Sequence, residues 1–226
     1  VFLILSVLQV KEEKMPKVHV SRITVGELAV NCWFLVNEDS KEALVFDPGD
    51  QAEKIAGFAS EQGVKVAAIL LTHGHIDHMG GADALRKLTG AKVYALQEEE
   101  DLLLDAKKNL SVFIERKVVT FEPDELLRDG QELTLAGMKI QVIHTPGHTP
   151  GSVLFLTKDA IFTGDTIFQG SIGRTDFEGG NERQMMQSLR KINNLAIEDI
   201  TLCPGHGDTT TLKWERAHNS YLKMCR

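Results

Sequence analysis

The sequence predicts an α/β fold of the α+β kind, a four-layer αββα sandwich in which two mixed β-sheets pack together with helices on the outside. Strand-like and helix-like segments alternate through the first half of the chain, and the second half again has strands followed by helices. The length of 226 residues suffices for one large domain with a substantial core, and no low-complexity linker separates the halves.

The first half of the chain begins with strands. Apolar residues alternate over residues 18–20 and again, out of phase, over residues 23–25, which predicts two strand segments joined by a bend or bulge. Further strands are predicted over residues 30–36 and 43–46, and residues 47–50 have the composition of a turn. The elements after this turn are predicted to be a helix over residues 52–59 that stops at Gly63, a strand at 66–71, a helix ending at Gly90, a strand at 92–96 and an acidic helix from Glu98.

The second half repeats this style. Asn181 with Gln184 three residues later forms a capping box at the start of a helix, and Met185, Leu189 and Ile192 supply its buried stripe. The elements of this half are predicted to be a hairpin of residues 133–135 and 138–144, strands at 153–156 and 160–163, that helix, a strand at 200–203 and a last helix at 212–222.

Composition and charge limit the function classes. The net charge of −7 argues against a nucleic-acid backbone as the main partner, because nucleic-acid binders usually carry a basic stripe. Three widely separated cysteines indicate no disulfide framework, which suits a reducing compartment, and no segment reaches transmembrane length. The sequence therefore predicts a cytoplasmic protein with neither nucleic acid nor membrane as a partner, and it leaves the oligomeric state open.

Residues 1–15 are interpreted as a terminal extension, non-native or flexible, and residues 16–226 as a single domain. Residues 1–10 are nearly all apolar but are too few to span a membrane. Met15 is either the native start, preceded by an upstream extension, or part of a genuine terminal segment.

The stretch from His73 to His78 is the most informative in the chain. It places three histidines and one aspartate within six residues, directly after a predicted strand. Side chains alternate in the extended chain that leaves a strand, so His73 and His75 point the same way, whereas Asp77 and His78 are adjacent and cannot share one direction. The spacing therefore predicts two liganding directions and two neighbouring metal positions.

Three more candidate ligands, His148, Asp165 and His206, also follow predicted strands. Loops at strand ends are where α/β folds place their chemistry, and each candidate has a glycine beside it that permits a tight turn near an ion. Because the chain has no C-x-x-C pair, the ligands would be imidazole and carboxylate groups. Such ligands suit Zn²⁺, Fe or Mn at a hydrolytic site.

As a set, these motifs resemble the metallo-β-lactamase superfamily, and the resemblance runs over about residues 17–222. It is highly specific because four separate motifs agree. The motifs are T-H-x-H-x-D-H at Thr72–His78, G-H-T at Gly147–Thr149, T-G-D at Thr163–Asp165 and P-G-H-G at Pro204–Gly207.

Within that superfamily the chain is most similar to the short bacterial glyoxalase II-like hydrolases. Three segments closely match the sequence motifs of that group, namely residues 163–168, 170–177 and 211–222. Ser220 stands where a proline is usual. Glyoxalase II proper has a helical C-terminal region that contacts glutathione, whereas only about twenty residues follow His206 here. The resemblance therefore implies a thioester hydrolase for which S-lactoylglutathione is a weak substrate.

The resemblance also implies two metal sites. Two divalent ions, Zn²⁺ in the first place and Fe or Mn as alternatives, would hold a hydroxide that attacks the carbonyl of a small-molecule thioester such as a glutathione thioester. Asp165 would bridge both metals, and Asp77 would also handle a proton in catalysis. The implied ligands are His73, His75 and His148 for the first metal and Asp77, His78 and His206 for the second.

Two further positions have two interpretations each. Asp47 either orients a metal histidine, as the resemblance implies, or is a turn-forming aspartate before a proline. Arg174 stands where glyoxalase II proper carries a lysine that helps to hold glutathione, so it either grips an anionic substrate or forms an internal salt bridge.

Two other functions stay open as alternatives. One is a mononuclear iron persulfide dioxygenase, a group that shares the G-R-T-D-F element of residues 173–177 but typically reads H-D-Y where this chain has His206-Gly-Asp-Thr. The other is a non-catalytic zinc-binding module, although structural zinc sites are usually closed and rich in cysteine.

Overall fold

The computed structural model describes residues 16–225. The predicted terminal extension over residues 1–15 lies outside the described residues, as does residue 226. Among the residues described, no helix is both long enough and apolar enough to cross a membrane.

The first large sheet has six strands that pair in sequence order. The strands are β1 (Val18–Val25), β2 (Val30–Asn37), β3 (Glu42–Phe46), β4 (Lys65–Leu70), β5 (Lys92–Leu96) and β6 (Glu125–Leu127). The sheet is mixed, because β1, β2 and β3 are antiparallel neighbours whereas β3 to β6 run parallel.

The second large sheet also has six strands, and a two-stranded ribbon accompanies it. The strands are β7 (Glu132–Leu135), β8 (Met138–His144), β9 (Val153–Leu156), β10 (Ala160–Gly164), the ribbon β11 (Ile167–Phe168) and β12 (Ser171–Ile172), then β13 (Thr201–Pro204) and β14 (Thr210–Thr211). The order is β14-β13-β10-β9-β8-β7. Only β10 and β13 pair in parallel in this part of the described chain, so this sheet is mixed as well.

The helices lie between the strands and at the end of the described chain. They are α1 (Ala52–Glu61), α2 (Ile76–Met79), α3 (Ala82–Thr89), α4 (Glu100–Leu104), α5 (Ser111–Ile114), α6 (Glu182–Asn193), α7 (Leu212–His218) and α8 (Ser220–Met224), with a 3₁₀ turn at Gln97–Glu99.

Three apolar layers hold the sheets and helices together. Phe46 of β3 stacks on Phe162 of β10 with ring centroids 3.7 Å apart, in the layer between the two sheets. Ile55 of α1 and Leu85 of α3 belong to a second layer on the other face of the first sheet. Leu189 of α6 belongs to a third layer outside the second sheet. The predicted four-layer αββα sandwich is therefore confirmed.

The predicted bend or bulge between residues 20 and 23 was wrong. The register of β1 on β2 is continuous over all eight pairs. Val18 and Val20 pack toward the layer between the sheets, while Ile23 and Val25 pack toward the helices. The apolar pattern changes phase because both faces of this strand are covered, each along a different part of its length.

Two predicted helices are each divided in the structure. The helix predicted to end at Gly90 is two helices, α2 and α3, with Gly80 and Gly81 between them. A Cβ on Gly80 would lie 2.5 Å from the Gly49 carbonyl oxygen, so the chain packs closely on the turn after β3. The last helix is interrupted at Asn219, whose side chain caps α8. The short elements β6, β11, β12, β14 and α5 had no sequence prediction.

Candidate metal centre

The seven candidate ligands come together from strand ends of both sheets. His73 and His75 lie in the loop after β4, and Asp77 and His78 follow on α2. The remaining three ligands come after β8, β10 and β13, and they are His148, Asp165 and His206 respectively. Side chains far apart in the sequence thus meet in one place, as the strand-exit argument predicted.

The first cluster consists of His73, His75 and His148. One nitrogen from each of these side chains lies within 4.8 Å of the other two. His75 Nδ1 is 3.0 Å from His148 Nε2. All three side chains are buried.

The second cluster consists of Asp77, His78 and His206, and it is more open. His206 Nε2 lies 3.1 Å from Asp77 Oδ2 and 3.3 Å from His78 Nε2. The side chain of His206 is 29% exposed and that of Asp77 is 16% exposed. The second cluster therefore faces solvent more than the first.

Asp165 lies between the two clusters. Its Oδ2 is 3.6 Å from His148 Nε2 and 3.7 Å from His206 Nε2, while its Oδ1 is 3.4 Å from His78 Nε2. A single carboxylate thus contacts histidines of both groups, which is the arrangement that the bridging prediction requires.

Glycines let the loops approach this closely. A Cβ on Gly205 would lie 2.4 Å from Asp165 Oδ1 and 2.4 Å from His78 Cε1. A Cβ on Gly49 would lie 1.4 Å from the backbone carbonyl oxygen of Asp77. Glycine is required at these positions because any side chain would displace a candidate ligand.

The side chains fit divalent metal ions. His73 Nδ1 lies 3.2 Å from the Thr72 hydroxyl, whereas His73 Nε2 is buried without a hydrogen-bond partner. Asp165 Oδ1, between the two clusters, is also buried without a hydrogen-bond partner. Buried polar atoms without partners are costly, so such atoms beside a cluster of ligands indicate a bound ion. Five imidazoles and two carboxylates suit Zn²⁺, Fe or Mn.

Hydrogen bonds fix the orientation of two of the imidazole rings. Asp47 Oδ2 accepts from His78 Nδ1 at 3.0 Å, and the carbonyl oxygen of Arg174 accepts from His148 Nδ1 at 2.7 Å. Each contact holds a proton on Nδ1, so Nε2 is the ring nitrogen that faces the cluster. The Asp47 carboxylate also accepts from the backbone N–H and the hydroxyl of Thr72, next to His73.

Burial and charge give the two clusters different electrostatics. Burial lowers the pKa of His73 well below its usual value and lowers that of His75 to about 3, so these imidazoles are neutral, as metal ligation requires. For His78, burial opposes the charged form, but Asp165, Asp77 and Asp47 outweigh it and raise the pKa. Burial likewise opposes ionisation of Asp165, but His78 and other histidines hold its pKa below the usual value. The second cluster is thus the more strongly anionic environment.

Glu99 is a buried carboxylate that supports the first cluster, and sequence reasoning missed it. Its Oε1 accepts the backbone N–H of Gly74 at 2.8 Å, and its Oε2 accepts that of Gly151 at 2.6 Å. Burial raises the pKa of Glu99 to about 7, against the opposing hydrogen bonds from Gly74, Thr149 and Gly151. The sequence predicted only an acidic helix here, because a run of three glutamates carries no signal for which one is buried.

Arg174 forms an ion pair beside the site. Its Nε and Nη2 donate to the two carboxylate oxygens of Asp176 at 2.7 and 2.6 Å, and its guanidinium carbon lies 3.8 Å above the centre of the Phe177 ring. Of the two interpretations of Arg174, the salt bridge is the one with an observed partner.

A cavity of about 450 Å³ opens onto both clusters. His75 and His148 of the first cluster line it, as do Asp77 and His206 of the second, together with Asp165. The other walls are mostly apolar, and they are formed by Leu28, Leu110, Ile114, Phe168, Ile172, Arg174 and Phe177. The volume suits a small-molecule ligand.

The sequence of this chain matches a known protein family and two bacterial relatives. The model of the metallo-beta-lactamase superfamily matches residues 25–206. The chain is 38% identical over 204 residues to the probable metallo-hydrolase YqgX of Bacillus subtilis, covering 89% of this chain and 96% of YqgX. It is 35% identical over 204 residues to the hydroxyacylglutathione hydrolase GloC of Haemophilus influenzae, covering 88% of this chain and 96% of GloC.

A solved structure agrees with these relatives. The crystal structure of the BLEG-1 B3 metallo-β-lactamase is similar to this chain with a TM-score of 0.84 and 37% sequence identity. The similarity covers 90% of this chain and 99% of that one.

Proposed function

The chain belongs to the metallo-β-lactamase superfamily, and from that premise we propose that it is a hydrolase that binds two divalent metal ions and cleaves a small-molecule thioester. The observation that carries this proposal is the pair of side-chain clusters that share Asp165. We assign His73, His75 and His148 to one ion. The assigned ligands of the other ion are Asp77, His78 and His206, with Asp165 between the two.

Divalent ions supply Lewis acidity, which makes water a better nucleophile and stabilises the negative charge that develops on a carbonyl oxygen. The protein supplies the positions of the groups. Asp47 and the Arg174 carbonyl hold the rings of His78 and His148 in place, so little reorganisation is required as the reaction proceeds.

We assign the proton transfer to Asp77. Its carboxylate lines the cavity and is partly exposed to it. A carboxylate oxygen there can accept the proton that water loses as the new C–O bond forms, and it can return that proton to the sulfur of the departing thiolate. A thiolate is a good leaving group, because the pKa of a thiol is only about 8.5.

Support for a thioester comes from similarity to GloC, whose name is hydroxyacylglutathione hydrolase, across 88% of this chain. Residues 170–177 resemble the corresponding segment of glyoxalase II-like hydrolases in sequence. This segment supplies Ile172, Arg174 and Phe177 to the cavity wall. Substrate contact by this element is consistent with a shared reaction type.

The two alternatives make different demands on the site. A mononuclear iron persulfide dioxygenase uses two histidines and one aspartate, which would leave the second cluster of Asp77, His78 and His206 without a role. A structural zinc module needs a closed site, whereas this site opens to a cavity. Both features favour the two-ion hydrolase.

The test combines elemental analysis with a substrate panel on the full chain. We expect about two metal ions per chain in the purified protein and hydrolysis of thioesters that is lost with a chelator and restored by Zn²⁺ or Mn²⁺. The panel contains S-lactoylglutathione, acyl thioesters of N-acetylcysteamine, a chromogenic cephalosporin, and glutathione persulfide with oxygen uptake as the readout.

Each alternative has its own result. One iron per chain with oxygen uptake on the persulfide would replace the proposal with a dioxygenase. Turnover of the cephalosporin alone would replace it with a β-lactamase, the activity in the name of BLEG-1. Full thioesterase activity in metal-free protein would overturn it outright.

A further inference from the structure

We infer that the cavity selects thioesters with an extended, uncharged apolar chain and disfavours those with a charged thiol such as glutathione. The inference rests on the proposed thioesterase function, and it names the substrate class. It follows from the side chains that line the cavity, from the distances between its aromatic rings and the candidate metal ligands, and from the pairing of Arg174 with Asp176, since Arg174 is the one permanently cationic side chain among the described lining residues.

The outer wall of the cavity is apolar where a soluble protein usually presents polar groups. Leu28, between β1 and β2, is 47% exposed, and Ile114 of α5 is 40% exposed. Leu110 and Ile172 are partly buried and line the same cavity. Contiguous exposed apolar side chains around a concave site indicate a surface that an apolar ligand covers.

Two aromatic rings of the cavity wall lie next to the candidate metal ligands. The ring of Phe177 lies 5.6 Å from that of His75, in the first cluster, and the ring of Phe168 lies 6.3 Å from that of His206, in the second. Each cluster therefore has an aromatic ring beside one of its histidines. A chain attached to a thioester that binds at the clusters would lie against these rings and the apolar side chains that line the cavity.

The wall of the cavity disfavours glutathione. Among the described residues that line it, Arg174 has the one permanently positive side chain, and Asp176 neutralises it with two hydrogen bonds. Glutathione carries two carboxylates, and each loses hydration when it lies against this wall without a free cationic side chain as a partner. The two divalent ions assigned to the floor of the cavity outweigh the negative charge of Asp77 and Asp165 there, so the discrimination against glutathione comes from the apolar wall.

The test is a series of thioesters assayed with the Zn²⁺-loaded full chain. Acyl groups from acetyl to octanoyl are compared on N-acetylcysteamine, an uncharged thiol, and the same acyl groups are compared on glutathione. A second series keeps the acyl group as acetyl and lengthens an uncharged alkyl thiol. We expect kcat/KM to rise about twofold to fourfold for each added methylene in at least one series, until the cavity is filled. At equal acyl length we expect the glutathione thioester to be the poorer substrate.

Substitutions in the cavity wall test which side chains cause the preference for apolar substrates. Leu28→Gln and Ile114→Gln should flatten the dependence of kcat/KM on chain length. Leu88→Gln is the control, because Leu88 is also an exposed aliphatic residue but does not line the cavity. Asp176→Asn frees the charge of Arg174 and should raise kcat/KM for the glutathione thioester, relative to its N-acetylcysteamine counterpart, by about twofold to fivefold.

The outcomes separate this inference from the proposal beneath it. Thioester hydrolysis with a kcat/KM that does not depend on chain length in either series would refute the apolar selection. So would Leu28→Gln and Ile114→Gln variants that behave as Leu88→Gln does. Neither result would contradict the proposed thioesterase activity. If no thioester is hydrolysed by the metal-loaded chain, both are refuted.

Discussion

The carboxylate of Glu99 accepts the backbone N–H of Gly74, the residue that separates His73 from His75. Its other oxygen accepts the N–H of Gly151, in the loop that carries His148. Glu99 therefore ties together the two loops that supply the first cluster.

Replacing Glu99 by alanine should weaken both the fold and the first metal site. Two buried N–H groups would lose their acceptor, at a cost of about 1–3 kcal/mol each in unfolding free energy. Because the loops would no longer be joined, we expect affinity for one of the two ions to fall about 10–100-fold. Denaturant unfolding measures the first effect, and elemental analysis after dialysis against a weak chelator measures the second.

Glu215→Ala is the matched control. Glu215 is equally buried, but it accepts hydrogen bonds from Gly170, Thr210 and Asn219, away from the loops of the first cluster. The Glu215→Ala variant should have a lower free energy of unfolding than the wild type but should still bind both metal ions. Equal metal content in the two variants would mean that Glu99 has a structural role only.

Glu99 should also make the stability of the metal-free protein depend on pH. Its pKa is raised from 4.5 to about 7 in the folded state, so its contribution is fully present below pH 4.5 and is lost as the pH rises through 7. Relative to Glu99→Gln, the unfolding free energy of the chelated wild type should fall by about 3 kcal/mol over that interval. Denaturant titrations of both proteins at several pH values measure this difference. A constant difference would show that burial does not perturb this carboxyl group.

The sequence singled out the seven candidate ligands, but it did not single out Glu99, which lies behind them. His73, Asp165 and His206 each follow a strand, and apolar runs mark those strands clearly. Loops at strand ends often carry functional residues, which drew attention to these candidates, and the resemblance to the metallo-β-lactamase superfamily then implied their grouping into two metal sites. Whether each of them binds a metal stays a prediction.

Glu99, by contrast, depends on packing that no local pattern encodes. Glu98, Glu99 and Glu100 are three consecutive glutamates, and only the tertiary packing determines that Glu99 is the buried one. The division of α2 from α3 is similar. Gly80 packs on the carbonyl of Gly49, a contact between segments about thirty residues apart, which helical periodicity cannot reveal.

Asp47 gives a prediction for the second cluster. It accepts from His78 Nδ1, so Asp47→Asn would present an amide N–H₂ where an acceptor is needed, and the ring of His78 would lose its orientation. We expect affinity for the second ion to fall about 10–100-fold. Titration of metal-free protein with Zn²⁺ in the presence of a competing chromophoric chelator measures it. Asp50→Asn, an exposed change in the same turn, is the control, and indistinguishable titrations would rule out this role.

Asp165 gives the sharpest test of a shared site. Its carboxylate contacts His148 of the first cluster as well as His78 and His206 of the second. If it bridges two ions, Asp165→Ala removes a ligand from both at once, so metal content should fall to one ion per chain or none and hydrolysis should be abolished. Asp159→Ala, at an exposed position next to the same strand, should keep two ions and full activity. A residue that served one ion alone would leave the other bound with unchanged affinity, so the affinity of whatever metal remains distinguishes bridging from simple ligation. Two ions retained in Asp165→Ala would contradict bridging.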